Sequence, residues 1–391
     1  ITEGVRAFRL AANGAVTSAP AVISTSVNAQ SELRVASDGV GFVATWLDRG
    51  GAMAARVAPA GAVLDAPPLS VAAVASQLRV AFDGAAWLAT WSNGGAAGAA
   101  RIPAAGAVTP LTSAGGFVPP QFLGEGRGYV MATWLTRALG ALLTGEVQRL
   151  SAPALTPGPR LAVTPQATTQ NGVPVVAFDG TNHLVAWHEG TGLPPYCGYV
   201  SVLRVTPDGD RLDPMPLRLS PCLVADPSLQ PGVAFDGSNY LVVWHAPGSA
   251  DIDVFAARVS RAGASLDASP LVLSAAPGDQ RNPTAVYDGS RFVVAWEDGR
   301  AGNLDVYATR VRSSGAVVDP LGLALAASTT DESGPRLAVR TGGQALLAYV
   351  RRSPTLGVDR VEGRIASFDD APPDAGVVDA GVVDTLSLIH I

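Results

Sequence analysis

Apolar residues in this chain fall in short unbroken runs separated by turn residues, and the arrangement recurs. Two clean copies read VAFDGSNYLVVW followed by FAARVSRAG, and AVYDGSRFVVAW followed by YATRVRSSG. The runs flanking Asp-Gly are apolar at nearly every position, whereas a strand with one wetted face alternates. They are therefore expected to be strands covered on both sides. The two-residue turn between them needs positive φ angles, which Asp-Gly supplies. No amphipathic helical stretch of ten or more residues interrupts the repeats, so the chain is predicted to be all-β.

The repeat can be counted. Asp38, Asp83, Asp179, Asp236 and Asp288 each precede an aromatic by eight residues: Trp46, Trp91, Trp187, Trp244 and Trp296. Two drifted copies put Gly126 before Trp134 and Thr341 before Tyr349 at the same spacing, which makes seven. The step is about 50 residues, the length of a propeller blade and longer than the helical repeats. A unit of two hairpins cannot bury its own faces and must stack on its neighbours. The prediction is a β-propeller of four-stranded blades, a radial arrangement that keeps strand edges short and protected. Each anchor is followed by an arginine: Arg56, Arg101, Arg149, Arg204, Arg258, Arg310 and Arg364. Five of these have glycine five residues on, at Gly61, Gly106, Gly209, Gly263 and Gly315. Arg9 with Gly14 forms an eighth, half-written copy. Either seven blades close with the N-terminal strands completing the last, which is the preferred reading, or an upstream hairpin is missing and there are eight.

Phe42, Trp87, His183, Tyr240 and Phe292 lie four residues before the anchor, on the anchor's face of the strand. Trp87 is accordingly read as packing and not as a sugar-stacking platform. The arginines, spread one per unit, form no patch and are expected to bond turn carbonyls or a neighbouring acid.

Composition adds a setting. All 27 basic residues are arginine, and the formal net charge of −6 argues against a nucleic-acid backbone as partner. No apolar run approaches the roughly 18 residues that span a bilayer. No cofactor motif is present, and a monomer is expected. Residues 369–385, DDAPPDAGVVDAGVVDT, are too poor in bulky apolar groups to pack and read as a flexible acidic linker. Such tracts resemble the stalks of secreted or surface-anchored bacterial proteins, so a secreted or cell-surface location is expected. The last six residues, LSLIHI at 386–391, break from that composition and look like a translated sequencing adapter. Cys197 and Cys222 belong to the fourth unit, in connections expected on one face. A disulfide between them closes a loop of about 25 residues and stabilises by about 3 kcal/mol in the chain-entropy picture. It suits an oxidising compartment.

For chemistry, the segments between second and third strands vary most, from ten residues between Trp46 and Arg56 to seventeen between Trp187 and Arg204. Variable loops on a rigid scaffold commonly carry function. WHEG, WHAP and WEDG place His188, Glu189, His245, Glu297 and Asp298 there, an acidic and imidazole rim that could bind a polar ligand. Asp251 and Asp253 align with Asn303 and Asp305 in the next unit as candidate calcium ligands, although Asp capping of local backbone explains them equally well. No residue is assigned as catalytic.

The unit VAWEDGRAGNLDVYATRVRSSGAVVD resembles the repeats of bacterial sialidase-like, or Asp-box, propellers, and the likeness covers residues 1 to about 368. The family's Asp box falls at the turn after the third strand. There this chain has RVTPDGDRLD and RVSRAGASLD, which keep the glycine and lack the closing Thr-Trp. The resemblance implies the propeller fold with degenerate boxes, and no recognisable sialidase active site accompanies it. The leading expectation is a non-catalytic propeller that binds a protein or glycan through loops on one face. The alternative is a glycoside hydrolase or lyase with Glu189, Glu297 and Asp298 as acid and base, which requires two carboxyl groups about 5 to 9.5 Å apart across a pocket.

Overall fold

The computed structural model describes residues 6–7, 21–22, 28–93, 96–111, 120, 122–126, 128–137, 143–152, 155–164, 170–190, 197–224, 230–354, 357–367 and 389–390. Seven antiparallel sheets follow one another along the chain and stand around a common axis: blade 1 (30–72), blade 2 (76–111), blade 3 (122–162), blade 4 (170–224), blade 5 (232–274), blade 6 (280–326) and blade 7 (332–367 with 389–390). Each runs outward in chain order from a first to a fourth strand. No helix occurs among the described residues. The all-β, seven-bladed propeller is thus the observed fold, with seven blades and not eight.

The Asp-Gly hairpins form as four-residue loops, such as 38–41 between Ser37 and Phe42, and not as the expected two-residue turns. Only the glycine has a positive φ, and the aspartate closes the loop through its carboxylate. In blade 1 the Asp38 carboxylate accepts hydrogen bonds from the backbone N–H of Val40 and Gly41, and Gly39 has φ 86°. Asp83, Asp179, Asp236 and Asp288 hold their turns through the same two bonds. The described second strands are buried over most of their length, because each lies between two neighbouring blades. Trp46, Trp187, Trp244, Trp296 and Tyr349 are fully enclosed, as are Phe42, His183, Tyr240 and Phe292. Trp87 is buried with Val80, Ala89 and Ile102, so it packs the core as its spacing indicates. The Trp134 side chain lies outside the described residues.

The arginine series ties blades together. Arg56, Arg204, Arg258 and Arg310 each pair with an aspartate nine residues later, Asp65, Asp213, Asp267 and Asp319, at 2.5, 2.5, 2.6 and 2.8 Å. In three of them Nη1 then reaches the turn of the following blade. Arg56 donates to the carbonyls of Pro103 and Gly106, Arg204 to Arg261, and Arg258 to Ser313. In blade 2, which lacks the later aspartate, Arg101 pairs with Asp83 instead. Both expected roles, acid pairing and turn-carbonyl bonding, are therefore filled.

Ring closure differs from the expectation. Arg6–Ala7 pairs with Ala21–Val22 in a separate two-stranded sheet, and neither joins the ladder of blade 7. The place of the fourth strand is taken by Ile389–His390, which pairs with Glu362 and Gly363. Those two residues belong to the tail set aside as foreign on composition. An open edge of unpaired backbone N–H and C=O groups accepts any short segment within reach, whatever its origin. Blade 7 meets blade 1 through side chains: Phe42, Val57, Ala338 and Leu346 pack across the seam, and the Gln30 side chain accepts from the Val361 N–H at 3.1 Å. The 369–385 tract lies outside the described residues.

Cys197 and Cys222 form a disulfide with Cα atoms 5.1 Å apart. It joins the start of the third strand of blade 4, Cys197–Val205, to the residue before its outer partner, Leu223–Val224.

Candidate functional site

The histidines and acids nominated from sequence lie in strands, not in loops. The second strands continue past their anchors, as His183–Gly190, Asn239–Pro247 and Phe292–Asp298. Ladder hydrogen bonds carry His188, Glu189, His245, Glu297 and Asp298 into the sheet with them. All five are buried. His188 faces Gly198, whose missing side chain leaves room for the imidazole. Glu189 accepts from the Ser201 hydroxyl at 2.8 Å and pairs with Arg218 at 3.0 Å. The Asn282 N–H points at His245 Nδ1 at 3.4 Å. Asp298 is held by Trp296 Nε1 at 2.8 Å and by the Arg300 guanidinium at 2.6 Å. Glu297 accepts from Asn282 Nδ2 and from the Gly334 N–H, both at 2.7 Å, and so links blade 6 to blade 7.

The calcium candidates are engaged by protein groups as well. Asp251 accepts the Gly278 N–H at 2.9 Å, and Asn303 donates to Asp305 at 3.0 Å and to two backbone carbonyls. Asp253 and Asp305 have their pKa values raised chiefly by burial. Among the described residues, no group of three or more His, Cys, Asp or Glu stands close enough to hold a metal ion.

The first strands converge on the axis and enclose a cavity of about 490 Å³. Every blade contributes to its wall, through Val35, Val80, Leu123, Val175, Val233, Ala285 and Leu337 among others. One repeat position decides its chemistry. The residue opposite the one that precedes the anchor is Arg34 in blade 1, Arg79 in blade 2, Val175 in blade 4, Gly232 in blade 5, Thr284 in blade 6 and Arg336 in blade 7. All six line the cavity. Going round the ring, blades 7, 1 and 2 are neighbours, so the three arginines form one continuous arc.

Local backbone aims these side chains. The first strands of blades 1, 2, 6 and 7 carry a bulge just before this position. Its residues Glu32, Gln77, Asn282 and Gly334 have φ between 51° and 61°. A bulge adds one residue to one side of the ladder and re-aims the neighbouring side chains. Each arginine then donates Nη1 to the carbonyl of the preceding residue, Leu33, Leu78 and Pro335, at 2.7, 2.7 and 2.8 Å. Two carboxylates stand near the arc. Glu32 lies 3.9 Å from Arg79, and its oxygens accept from the N–H groups of Gln77 and Leu78 at 3.1 and 2.7 Å. Glu297 lines the cavity and is held there by Asn282 and Gly334. Burial lowers the pKa of all three guanidinium groups. At Arg34, repulsion from Arg336 and Arg79 lowers it further, against a smaller opposing pull from Glu32.

Of the nominated residues, only Glu297 reaches this cavity. Sequence reasoning misses the arginines because their signal is faint, a shared Arg-Val-Ala or Arg-Leu-Ala in otherwise apolar runs at 34–36, 79–81 and 336–338. An arginine where the other units carry phenylalanine, valine, glycine or threonine is the mark that identifies it.

No protein-family model matches the chain, and no curated protein does. Similar solved structures are propellers. The β-propeller domain of the Trilobed protease from Pyrococcus furiosus has a TM-score of 0.53 at 10% identity, over 90% of this chain and 98% of that one. The Pyrococcus horikoshii acylaminoacyl peptidase gives 0.53 at 10%, over 88% of this chain and 52% of that one. A subtype N11 neuraminidase-like protein of A/flat-faced bat/Peru gives 0.45 at 10%, over 88% and 90%, too low to bear on the sialidase resemblance. At these identities the likenesses show the β-propeller fold alone.

Proposed function

We propose that this chain is a non-catalytic ligand-binding propeller, secreted or displayed at the cell surface, whose ligand is a protein or glycan group that enters the axial cavity from the face carrying the connections between second and third strands. The observation that carries this reading is the cavity itself. Its volume of about 490 Å³ falls in the range of small-molecule sites, and all seven blades line it. Glu297 marks the end of the cavity on the side of those connections, since it pairs with Arg281 at the start of the first strand of blade 6. The acids that an enzyme of this kind would use are otherwise employed: Glu189 bonds Ser201 and Arg218, and Asp298 bonds Trp296 and Arg300. The disulfide supports an oxidising compartment.

A glycan array combined with a hydrolysis screen on the purified protein tests this reading. Retention of a ligand without turnover is expected. Turnover of any arrayed glycan overturns the non-catalytic assignment, and the Glu189→Gln and Glu297→Gln variants then show whether these acids are responsible.

A further inference from the structure

We infer that the axial cavity is an oxyanion site, in which Arg34, Arg79 and Arg336 jointly hold a compact ligand carrying a sulfate, phosphate or carboxylate group. This deepens the binding function proposed above and rests on it. Three observations carry the inference. The arginines occupy one structurally equivalent position in three consecutive blades, on the wall of one cavity. The fold does not require arginine there, because Val175, Gly232 and Thr284 fill the same position in blades 4, 5 and 6. The two acids near the arc, Glu32 and Glu297, each accept two hydrogen bonds from protein N–H donors.

Three guanidinium groups are drawn from water on one wall, and although Glu32 attracts Arg79 and Glu297 attracts Arg336, both neighbours repel Arg34, so an anion between them is favoured. Guanidinium groups suit the task, since their planar forks match the oxygens of carboxylate and phosphate. The arrangement is also asymmetric. At this position arginines occupy blades 7, 1 and 2 and uncharged residues occupy blades 4, 5 and 6, with Gln230, Asn282 and Glu297 also lining the side away from Arg34 and Arg79, so a ligand with an anionic head and a hydrogen-bonding body would be oriented on entry. The chain as a whole carries a net charge of −6, which makes a cationic cavity a local feature and not a consequence of composition.

Thermal melting with sodium phosphate, sodium sulfate or sodium glucuronate, each compared with sodium chloride at matched ionic strength, tests the inference. At least one of the three anions is expected to raise the melting temperature along a saturable curve, and chloride is not. Arg34→Gln and Arg336→Gln are each expected to weaken the apparent affinity at least tenfold, while Arg160→Gln, a change on the exposed outer strand of blade 3, leaves it unaltered. Arg34→Lys retains the charge without the fork and is expected to fold and to bind several-fold more weakly. Preference for phosphate or sulfate assigns a tetrahedral anion, and preference for glucuronate a planar carboxylate. Absence of a saturable rise with all three anions overturns the inference, as does an unchanged curve in folded Arg336→Gln. The two readings fail separately. A neutral glycan that binds Arg34→Gln as well as the parent removes the anion and keeps the binding function, whereas turnover removes the non-catalytic assignment and leaves the anion titration standing.

Discussion

His183 holds the place that Phe42, Trp87, Tyr240 and Phe292 hold in other blades, and it behaves as an aromatic filler that can titrate. It packs tilted against Phe178 and edge-on to Tyr129 at ring separations of 4.8 and 5.6 Å, and burial pushes its pKa down to about 4. The unfolded chain takes up this proton near pH 6.5 and the folded chain only near pH 4, so stability falls on acidification between those values, by at most about 3 kcal/mol. His183→Phe is expected to flatten that part of the pH profile. Urea unfolding at pH 7 and at pH 4.5 checks it: the variant should gain on the parent at the lower pH. Glu332 has the opposite sign. Burial raises its pKa to about 7, against weaker opposing effects of the Ser328 hydroxyl and Arg351. Its neutral form is favoured by the fold, so stability is fully present below pH 4.5 and declines as pH rises through 7. Glu332→Gln should remove that decline, and melting curves from pH 4.5 to 8 would show a parallel loss in both proteins if the residue is not its source.

Among elements, the third-strand turn is where the repeat is most economical. The glycine five residues after the arginine adopts a positive φ and, at two blades, also lies against the arginine of the blade before. A Cβ on Gly263 would stand 2.6 Å from Arg204 Nε, and one on Gly315 2.8 Å from Arg258 Nε. At Gly106, with φ 90°, a Cβ would meet nothing within 4 Å. Gly106→Ala should therefore cost about 1 kcal/mol from backbone conformation alone, and Gly263→Ala at least about 2 kcal/mol because the Arg204–Asp213 pair must also yield. Denaturant titration of the two variants separates these contributions, and equal losses would refute the contact. Much of this is legible in the sequence: Asp-Gly turns, aromatic anchors, one arginine per unit and the cysteine pair all leave fixed spacings. The strand ends are not. Trp reads as a terminus because the residues after it are charged, yet the ladder continues through His188–Glu189 and Glu297–Asp298, where the buried acids are supplied with partners. The bulges that aim Arg34, Arg79 and Arg336 are equally hidden, since a bulge is a property of the pairing of two strands and no single residue encodes it.

At the scale of the whole molecule, six junctions between blades are spanned by the continuing chain, and no described strand spans the seventh. Among the described residues, no strand from the start of the chain joins blade 7, so the seam depends on two apolar contacts, Phe42 and Val57 with Ala338 and Leu346, and Leu33, Ala44, Trp46 and Ala55 with Ala348 and Val361, on the Gln30–Val361 bond, and on the bond from the Thr341 N–H to the Gly39 carbonyl at 2.8 Å. Gln30 is 1% exposed, and Gln30→Ala leaves the Val361 N–H without its partner, at a cost of about 1–3 kcal/mol. Hydrogen exchange is expected to accelerate in blades 1 and 7 of that variant and to stay unchanged in blades 4 and 5; uniform acceleration would mean that the seam is no weaker than the other junctions.

That unspanned junction runs between Arg336 and Arg34. Arg336 repels Arg34 across a junction that no ladder of the described residues crosses, against the pull of Glu32 on Arg34 and of Glu297 on Arg336. If the cavity holds an anion as inferred, that anion acts as a clasp, and the mechanical strength of the ring becomes a property that its ligand can switch.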